Sequence, residues 1–129
     1  MIFRYTILYV DDVKTTLDFY RRAFGLETGF MDESGDYGEL KTGDTKLSFS
    51  STALMKRLGK SPAAADPKRP VFEVAFETSD VDAALKRAMD AGATLVMPTA
   101  KQHWGQTIAY VSDPNGILVE ICTSVPSPG

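Results

Sequence analysis

Apolar positions along this chain form short strand-like runs, interrupted by two stretches in which they repeat with helical spacing. Residues 5–10 (YTILYV) are rich in β-branched and aromatic side chains and predict a buried strand. Asp11 and Asp12 then offer N-cap oxygens, and Gly25 stands where a left-handed C-terminal cap belongs. Between these signals the apolar residues have the spacing of a helix face: Val13, Leu17, Tyr20 and Phe24.

The remaining pattern predicts three strands after this helix and then a second strand, helix and three strands. In the first half the strands are expected over residues 26–31, 37–42 and 45–50. In the second half a strand over 71–78 precedes a helix that begins after Ser79-Asp80 and stops at Gly92. The last strands are expected over 94–97, 107–112 and 117–122, with a turn at 113–116.

The two halves are an internal repeat. Placing Asp12-Val13 over Asp80-Val81 aligns the first strands, the helices and the terminal hairpins. A half of roughly 60 residues has too little core to stand alone, so the halves should pack together. We therefore predict one domain over residues 1–129. Its parts are module 1 (about 3–50), a linker (51–69) in which 51–58 can form a helical turn, module 2 (about 70–123) and a disordered tail (124–129).

Strand alternation predicts which side chains face away from the helices. The helix-facing set in module 2 is Phe72, Val74, Phe76, Ile117, Val119 and Ile121. Glu73 and Glu120 then share the opposite face, where an unpaired buried carboxylate would be costly. The repeat puts Tyr5 and Ser48 of module 1 in the corresponding places. Glu39 and Tyr110 match each other on the neighbouring strands, and Lys46 precedes Ser48 by two residues on the same face.

Composition narrows the functional classes. With 17 acidic and 14 basic residues and a net charge of −3, the chain has no basic footprint for nucleic acid. No apolar run approaches the roughly 18 residues of a membrane span. A single cysteine, Cys122, excludes an internal disulfide and favours the reducing cytoplasm. One histidine in the chain, His103, argues against zinc fingers and Cys/His nucleophile pairs.

The ends of the chain resemble a known family. Residues 5–13 (YTILYVDDV) and 17–27 (LDFYRRAFGLE) resemble the opening of the vicinal oxygen chelate superfamily, and residues 111–121 (VSDPNGILVEI) resemble its closing hairpin. This superfamily contains glyoxalases, bleomycin resistance proteins and extradiol dioxygenases. The resemblance implies an α+β fold in which two βαβββ modules form a curved eight-stranded mixed sheet around a cleft. It also implies a homodimer.

The resemblance implies a metal position as well, which this sequence fills only in part. Enzymes of the superfamily hold a divalent metal at the positions of Tyr5, Ser48, Glu73 and Glu120. Histidine is usual at the first or third of these positions and glutamate is frequent at the second, so only Glu120 matches outright. We expect no cofactor and no histidine-ligated metal. If an ion is bound, it should be a Mg²⁺- or Mn²⁺-type ion held by Glu73 and Glu120.

Two functions follow from the resemblance. The first is a small-molecule-binding protein of the glyoxalase/bleomycin-resistance type, without a metal. The alternative is a divalent-metal-dependent lyase, isomerase or dioxygenase that uses Glu120 and Glu73, and metal-free acid–base chemistry by either carboxyl is a third route. The candidate catalytic residues are Glu120 and Glu73; the candidate ligand-binding residues are Tyr5, Glu39, Lys46, Ser48, Trp104 and Tyr110. The competing interpretations are solvated carboxylates, packed tyrosines and a Trp104 that plugs the end of the sheet.

Overall fold

The elements of the computed structural model, which describes residues 1–126, follow the predicted order twice. Module 1 contains β1 (Tyr5–Val10), α1 (Val13–Phe24), β2 (Thr28–Met31), β3 (Tyr37–Leu40) and β4 (Lys46–Ser51). A short helix, α2 (Thr52–Arg57), follows. Module 2 contains β5 (Val74–Glu77), α3 (Val81–Asp90), β6 (Thr94–Lys101), β7 (Thr107–Ser112) and β8 (Leu118–Cys122). The chain forms two compact units, Met1–Ala64 and a second that begins at Ala65.

Each module has one four-stranded mixed sheet with its long helix on one face. The strand order is β1-β4-β3-β2 in module 1 and β5-β8-β7-β6 in module 2. In both sheets the first strand pairs in parallel with the last, and the other pairs are antiparallel. The α+β class and the two βαβββ modules are therefore confirmed, with the eight predicted strands arranged as two sheets of four.

The helix boundaries come from the capping residues that the sequence indicated. The Asp12 carboxylate accepts a hydrogen bond from the Thr15 amide at 2.8 Å, and the Asp80 carboxylate accepts one from the Ala83 amide at 3.1 Å. These contacts satisfy amide groups that have no partner within the first helical turn. Gly25 closes α1 in the left-handed conformation, with a φ of 71°.

Burial separates the two faces of module 1 as alternation predicts. Leu8 and Val10 are buried on the α1 side of β1, whereas Tyr5, Ile7 and Tyr9 are exposed on the other side. Gly38 of β3 shows how closely α1 approaches the sheet, because a Cβ added there would lie 2.6 Å from Leu17 Cδ1. The described core of module 1 is completed by large side chains of α1 and the sheet: Val13, Phe19, Tyr20, Leu40 and Phe49.

Two predictions for module 2 were wrong. Phe72 was expected beneath the helix, but it lies before β5 and is 48% exposed. The β5–β8 pairing begins at Val74 and Val119, so no ladder partner holds the chain at Phe72. The strand predicted over 94–97 extends to Lys101. Pro98 lies within it, which is tolerated because β6 is the edge strand of its sheet.

The linker and tail predictions have mixed outcomes in the described chain. Within the predicted linker 51–69, α2 occupies the place of the expected helical turn. Residues 124–126 have no regular secondary structure, and the rest of the predicted tail, 127–129, lies outside the described residues. Among residues 1–126, no helix is long and apolar enough to cross a membrane.

Candidate functional site

Three predicted residues of module 2 meet at one hydroxyl group. Tyr110 on β7 is the register partner of Glu120 on β8, and Glu73 lies just before β5 on the same sheet face. The Tyr110 hydroxyl oxygen is 3.1 Å from Glu73 Oε2 and 3.2 Å from Glu120 Oε2. A phenol has one hydrogen to donate, so it can satisfy only one of the two carboxylates at a time. The cluster therefore has more acceptors than hydrogens.

The electrostatics of this cluster follow from that shortage. Desolvation raises the pKa of Glu120, and the hydrogen bond and negative charge of Glu73 raise it further, while the Tyr110 hydroxyl and the weakly donating Cys122 thiol oppose the shift. The pKa of Tyr110 is also raised, first by desolvation and then by its two carboxylate neighbours. The arrangement favours a proton, or a positively charged group, between the two carboxyls.

The hairpin that carries Glu120 is fixed by its turn. The Asp113 carboxylate accepts hydrogen bonds from the Asn115 amide at 2.8 Å and the Ile117 amide at 2.9 Å. Gly116 has a φ of 86°, and a Cβ there would lie 2.4 Å from the Ala65 carbonyl oxygen. Glycine is required at this point, and the turn sets the register that brings β7 and β8 side chains into contact.

Module 1 has a matching cluster with a different hydrogen balance. Glu39 on β3 is the register partner of Ser48 on β4. The Tyr37 hydroxyl donates to Glu39 Oε2 at 2.7 Å, and its oxygen lies 3.1 Å from Ser48 Oγ. Since the phenolic hydrogen is given to Glu39, Ser48 donates to the phenol. Every hydroxyl in this chain of contacts has an acceptor for its hydrogen.

Burial is deeper in the module 1 cluster. Ser48 has no exposed surface. The pKa of Tyr37 is raised from its ordinary 10.0 to about 12, chiefly by desolvation and also by the hydrogen bond and charge of Glu39, while Ser48 works against the shift. Tyr37 was missed in the sequence analysis. It stands two residues before Glu39 on the same strand, so the period-two rule applied to β3 would have put it on the candidate face.

The other candidate residues lie outside the two tyrosine clusters. Tyr5 and Lys46 are register partners at the start of β1 and β4, on the same face as Ser48. Trp104 lies in the turn between β6 and β7, where it is 47% exposed. Its indole N–H donates to Gln106 Oε1 at 2.6 Å, and its ring meets that of His103 edge to face. Trp104 precedes Tyr110 by six residues in the chain.

The donor set of module 2 limits which metals suit it. Two carboxylates and a phenol oxygen are hard donors of the kind that Mg²⁺ or Mn²⁺ accepts. Zn²⁺, Ni²⁺ and Fe²⁺ usually recruit imidazole, and the single histidine of the chain, His103, lies in the β6–β7 turn with its ring against Trp104. Residues 1–126 contain no group of three or more His, Cys, Asp or Glu side chains placed to hold an ion. The residues present do not fit a histidine-ligated metal.

Comparison with known proteins gives one consistent result. The family model described as "Glyoxalase/Bleomycin resistance protein/Dioxygenase superfamily" matches residues 2–121. An uncharacterized protein of Mycobacterium bovis, Mb0911c, is 31% identical over 115 residues, which is 84% of this chain and 74% of that protein. The uncharacterized protein YraH of Bacillus subtilis is 25% identical over 88% of this chain and 91% of its own length. Among solved structures, a glyoxalase-related enzyme from Fulvimarina pelagi has a TM-score of 0.81 at 20% identity, covering 94% of this chain and 86% of that one.

Proposed function

We propose that this chain, which belongs to the glyoxalase/bleomycin resistance protein/dioxygenase superfamily, binds a small molecule that presents a cationic or N–H-donating group to Glu73, Tyr110 and Glu120. The observation that carries the proposal is the single phenolic hydrogen between two carboxylates. An ammonium, amidinium or guanidinium group would supply the missing hydrogens and the missing positive charge. Charge-assisted hydrogen bonds of this kind are among the strong ones in proteins.

A cationic ligand would bind to this cluster by exchange with a proton. Without a ligand, Glu120 retains a proton more readily than an ordinary glutamate, because desolvation and the neighbouring Glu73 raise its pKa. A cationic group would replace that proton and return both carboxyls to the ionised form. Binding should therefore release protons to the buffer in the acidic pH range where Glu120 is partly protonated, in contrast to binding by an apolar contact alone.

The remaining candidates lie outside this cluster, and their role in ligand binding stays a prediction. Tyr5, Lys46 and Glu39 lie on the sheet face of module 1 opposite α1, Ser48 is buried on that face, and Trp104 offers an aromatic surface in module 2. We propose that the two modules work as one domain and that the protein is a cytoplasmic homodimer, as is usual in the superfamily. Light scattering of purified protein tests the assembly: a mass of one chain would contradict it.

Titration calorimetry with glycopeptide and aromatic cationic antibiotics tests the binding function. Glu120→Gln should weaken binding of a cationic ligand about tenfold or more, because one charge-assisted hydrogen bond is lost. Glu33→Gln, which removes an exposed carboxylate of module 1, is the matched control and should leave the affinity unchanged. Wild-type protein that binds no cation in the panel, or equal effects of the two variants, would contradict the proposal.

Metal-dependent chemistry is the second candidate, because superfamily enzymes use a divalent ion and two hard carboxylates lie on one hydroxyl. Glu73 and Glu120 would hold the ion, which would supply a Lewis acid for vicinal substrate oxygens. Elemental analysis of protein purified without chelators distinguishes the candidates. About one equivalent of Mg²⁺ or Mn²⁺ that is lost in Glu120→Gln would favour this function; less than roughly a tenth of an equivalent would end it.

A further inference from the structure

Lys60, three residues after the end of α2, lies over the exposed face of module 1. Lys60 Nζ donates to the Tyr9 hydroxyl at 3.1 Å and lies 5.3 Å from the centre of the Tyr9 ring. It is also 3.4 Å from Met55 Sδ, which is a weak acceptor. Within residues 1–126, no carboxylate forms an ion pair with Lys60. The Lys60 ammonium group is thus held on the sheet face by a phenol and a thioether, without a carboxylate partner among the described residues.

The position of Lys60 is built by the end of α2. The Gly59 amide donates to the Lys56 carbonyl and the Lys60 amide donates to the Met55 carbonyl, each at 3.0 Å. This pair of bonds is a Schellman motif, in which Gly59 takes the left-handed conformation with a φ of 88°. The motif reverses the chain at the helix end, so that the Lys60 side chain points back to β1.

The beginning of α2 is anchored equally well. Ser51 is the N-cap, accepting from the Leu54 amide at 3.0 Å, and its hydroxyl donates to Asp36 Oδ1 at 2.7 Å. The other oxygen of Asp36 accepts from the Arg57 guanidinium near the C-terminal end of the same helix. The helix is therefore tied to the β2–β3 turn at two points. This restricts the motion of Lys60 relative to Tyr9 and lowers the entropic cost of using it for binding.

The surface beside Lys60 is apolar and open. Tyr5, Ile7 and Tyr9 are 49%, 43% and 39% exposed along one face of β1. Lys46, the register partner of Tyr5, stands at the opposite end of this strip from Lys60. Glu39, an acidic residue of the same sheet, lies on β3 beside Ser48 and accepts the Tyr37 hydrogen. These three side chains of β1, which we call the β1 strip, are thus flanked by two cations, Lys46 and Lys60. The Glu39 carboxylate on β3 is already hydrogen-bonded to Tyr37.

We infer that the β1 strip of module 1 binds an organic anion with an apolar body, and that Lys60 recognises the anionic group. The apolar body covers the Tyr5, Ile7 and Tyr9 side chains, and the anion takes the N–H of Lys60 that Tyr9 and Met55 leave available. This site uses none of the residues of the Glu73–Tyr110–Glu120 cluster. It goes beyond the function proposed above, and it stands or falls separately.

Two fluorescent probes that differ in one charged group test the inference. The probe 1-anilinonaphthalene-8-sulfonate has an apolar body and an anion, and N-phenyl-1-naphthylamine has the same rings without the sulfonate. Lys60→Gln should raise the Kd of the sulfonate probe about tenfold and that of the neutral probe less than about twofold, because only the anion loses a charge-assisted hydrogen bond. Lys60→Arg should restore most of the affinity.

The controls separate position from charge and this site from the other. Lys56→Gln removes an exposed lysine of the same helix and should leave both Kd values unchanged. Gly59→Ala keeps Lys60 but strains the Schellman motif at positive φ, and it should weaken the sulfonate probe selectively. Glu120→Gln should have no effect on either probe. Equal losses for both probes in Lys60→Gln, no loss at all, or a wild-type protein that binds neither probe would overturn the inference.

Discussion

Module 1 and module 2 both place a tyrosine hydroxyl against acidic side chains on the sheet face opposite the long helix. The two clusters differ in how many hydroxyl hydrogens are available to bond the carboxylate oxygens. In module 1, Tyr37 donates to one carboxylate and receives a hydrogen from Ser48. In module 2, Tyr110 lies between two carboxylates, Glu73 and Glu120. The first cluster is complete by itself. The second requires a proton or an external donor.

One register position accounts for much of this difference. Ser48 lies between Ile7 and Glu39 on the neighbouring strands, and Glu120 lies between Ala75 and Tyr110 in the same way. The repeat thus holds a serine in one module where it holds a glutamate in the other. The same backbone arrangement can therefore give a cluster whose hydrogen bonds are complete or one that is short of hydrogens, depending on whether this position donates or only accepts hydrogens.

The largest expected effect comes from making module 1 resemble module 2. Ser48→Glu would bury a second carboxylate beside Glu39 with no added hydrogen, and we expect it to lower the free energy of unfolding by about 3 kcal/mol at neutral pH. The loss should shrink near pH 5, where the new carboxyl is protonated. Urea unfolding at both pH values measures this. Ser48→Gln, with the same size and no charge, is the control; an equal, pH-independent loss in both variants would show overpacking instead.

A second difference between the modules lies on the helix side of the sheets. Gly38 of β3 matches Ala109 of β7 in register, and a Cβ at Gly38 would lie 2.6 Å from Leu17 Cδ1 and 3.1 Å from Val13 Cγ1. Gly38→Ala should therefore destabilise the protein by about 1–3 kcal/mol through overpacking against α1.

Thermal or urea unfolding would check this prediction against Gly29→Ala. An added Cβ at Gly29 has only ordinary contacts, the nearest at 3.4 Å, so this variant should change stability by less than about 1 kcal/mol. If Gly38→Ala is as stable as wild type, α1 does not approach the sheet of module 1 as closely as described.

The smallest stability effect is expected at alkaline pH. The pKa of Tyr37 is raised from 10.0 to about 12, so the folded protein keeps a proton that the unfolded chain releases. Stability from this source is complete below pH 10.0 and is lost as the pH rises toward 12. Tyr37→Phe should thus lose less unfolding free energy than wild type between about pH 10 and pH 12. An equal loss in both proteins would mean that Tyr37 titrates normally.

The sequence alone predicted those features that depend on local rules. Alternation placed Leu8 and Val10 toward the helix and Tyr5 on the open face. Capping chemistry placed the helix starts at Asp12 and Asp80. The internal repeat, a longer-range signal, brought Glu73 and Glu120 onto one face, and the Tyr110 hydroxyl now connects them.

Features that depend on register and on contacts between distant segments could not be predicted. Phe72 was assigned to a strand because its apolar pattern continued, but the parallel β5–β8 ladder begins only at Val74. The position of Lys60 over Tyr9 arises from a helix cap 51 residues along the chain, and no periodicity in either segment encodes that contact. The hydrogen balance of each cluster required distances between hydroxyl and carboxylate oxygens, which spacing alone does not supply.

The Glu73–Tyr110–Glu120 cluster has fewer hydrogen-bond donors than its carboxylates can accept from, and the titration of Glu120 tests this most directly. Carbon-13 NMR of the glutamate side-chain carboxyls, with Glu120 assigned by Glu120→Gln, should show its pKa above the ordinary value of 4.5. Glu73→Gln should lower the pKa of Glu120, and Tyr110→Phe should raise it further, since the first removes a neighbouring charge and the second removes a donor. A Glu120 that titrates at or below 4.5 and is unmoved by either substitution would contradict the account.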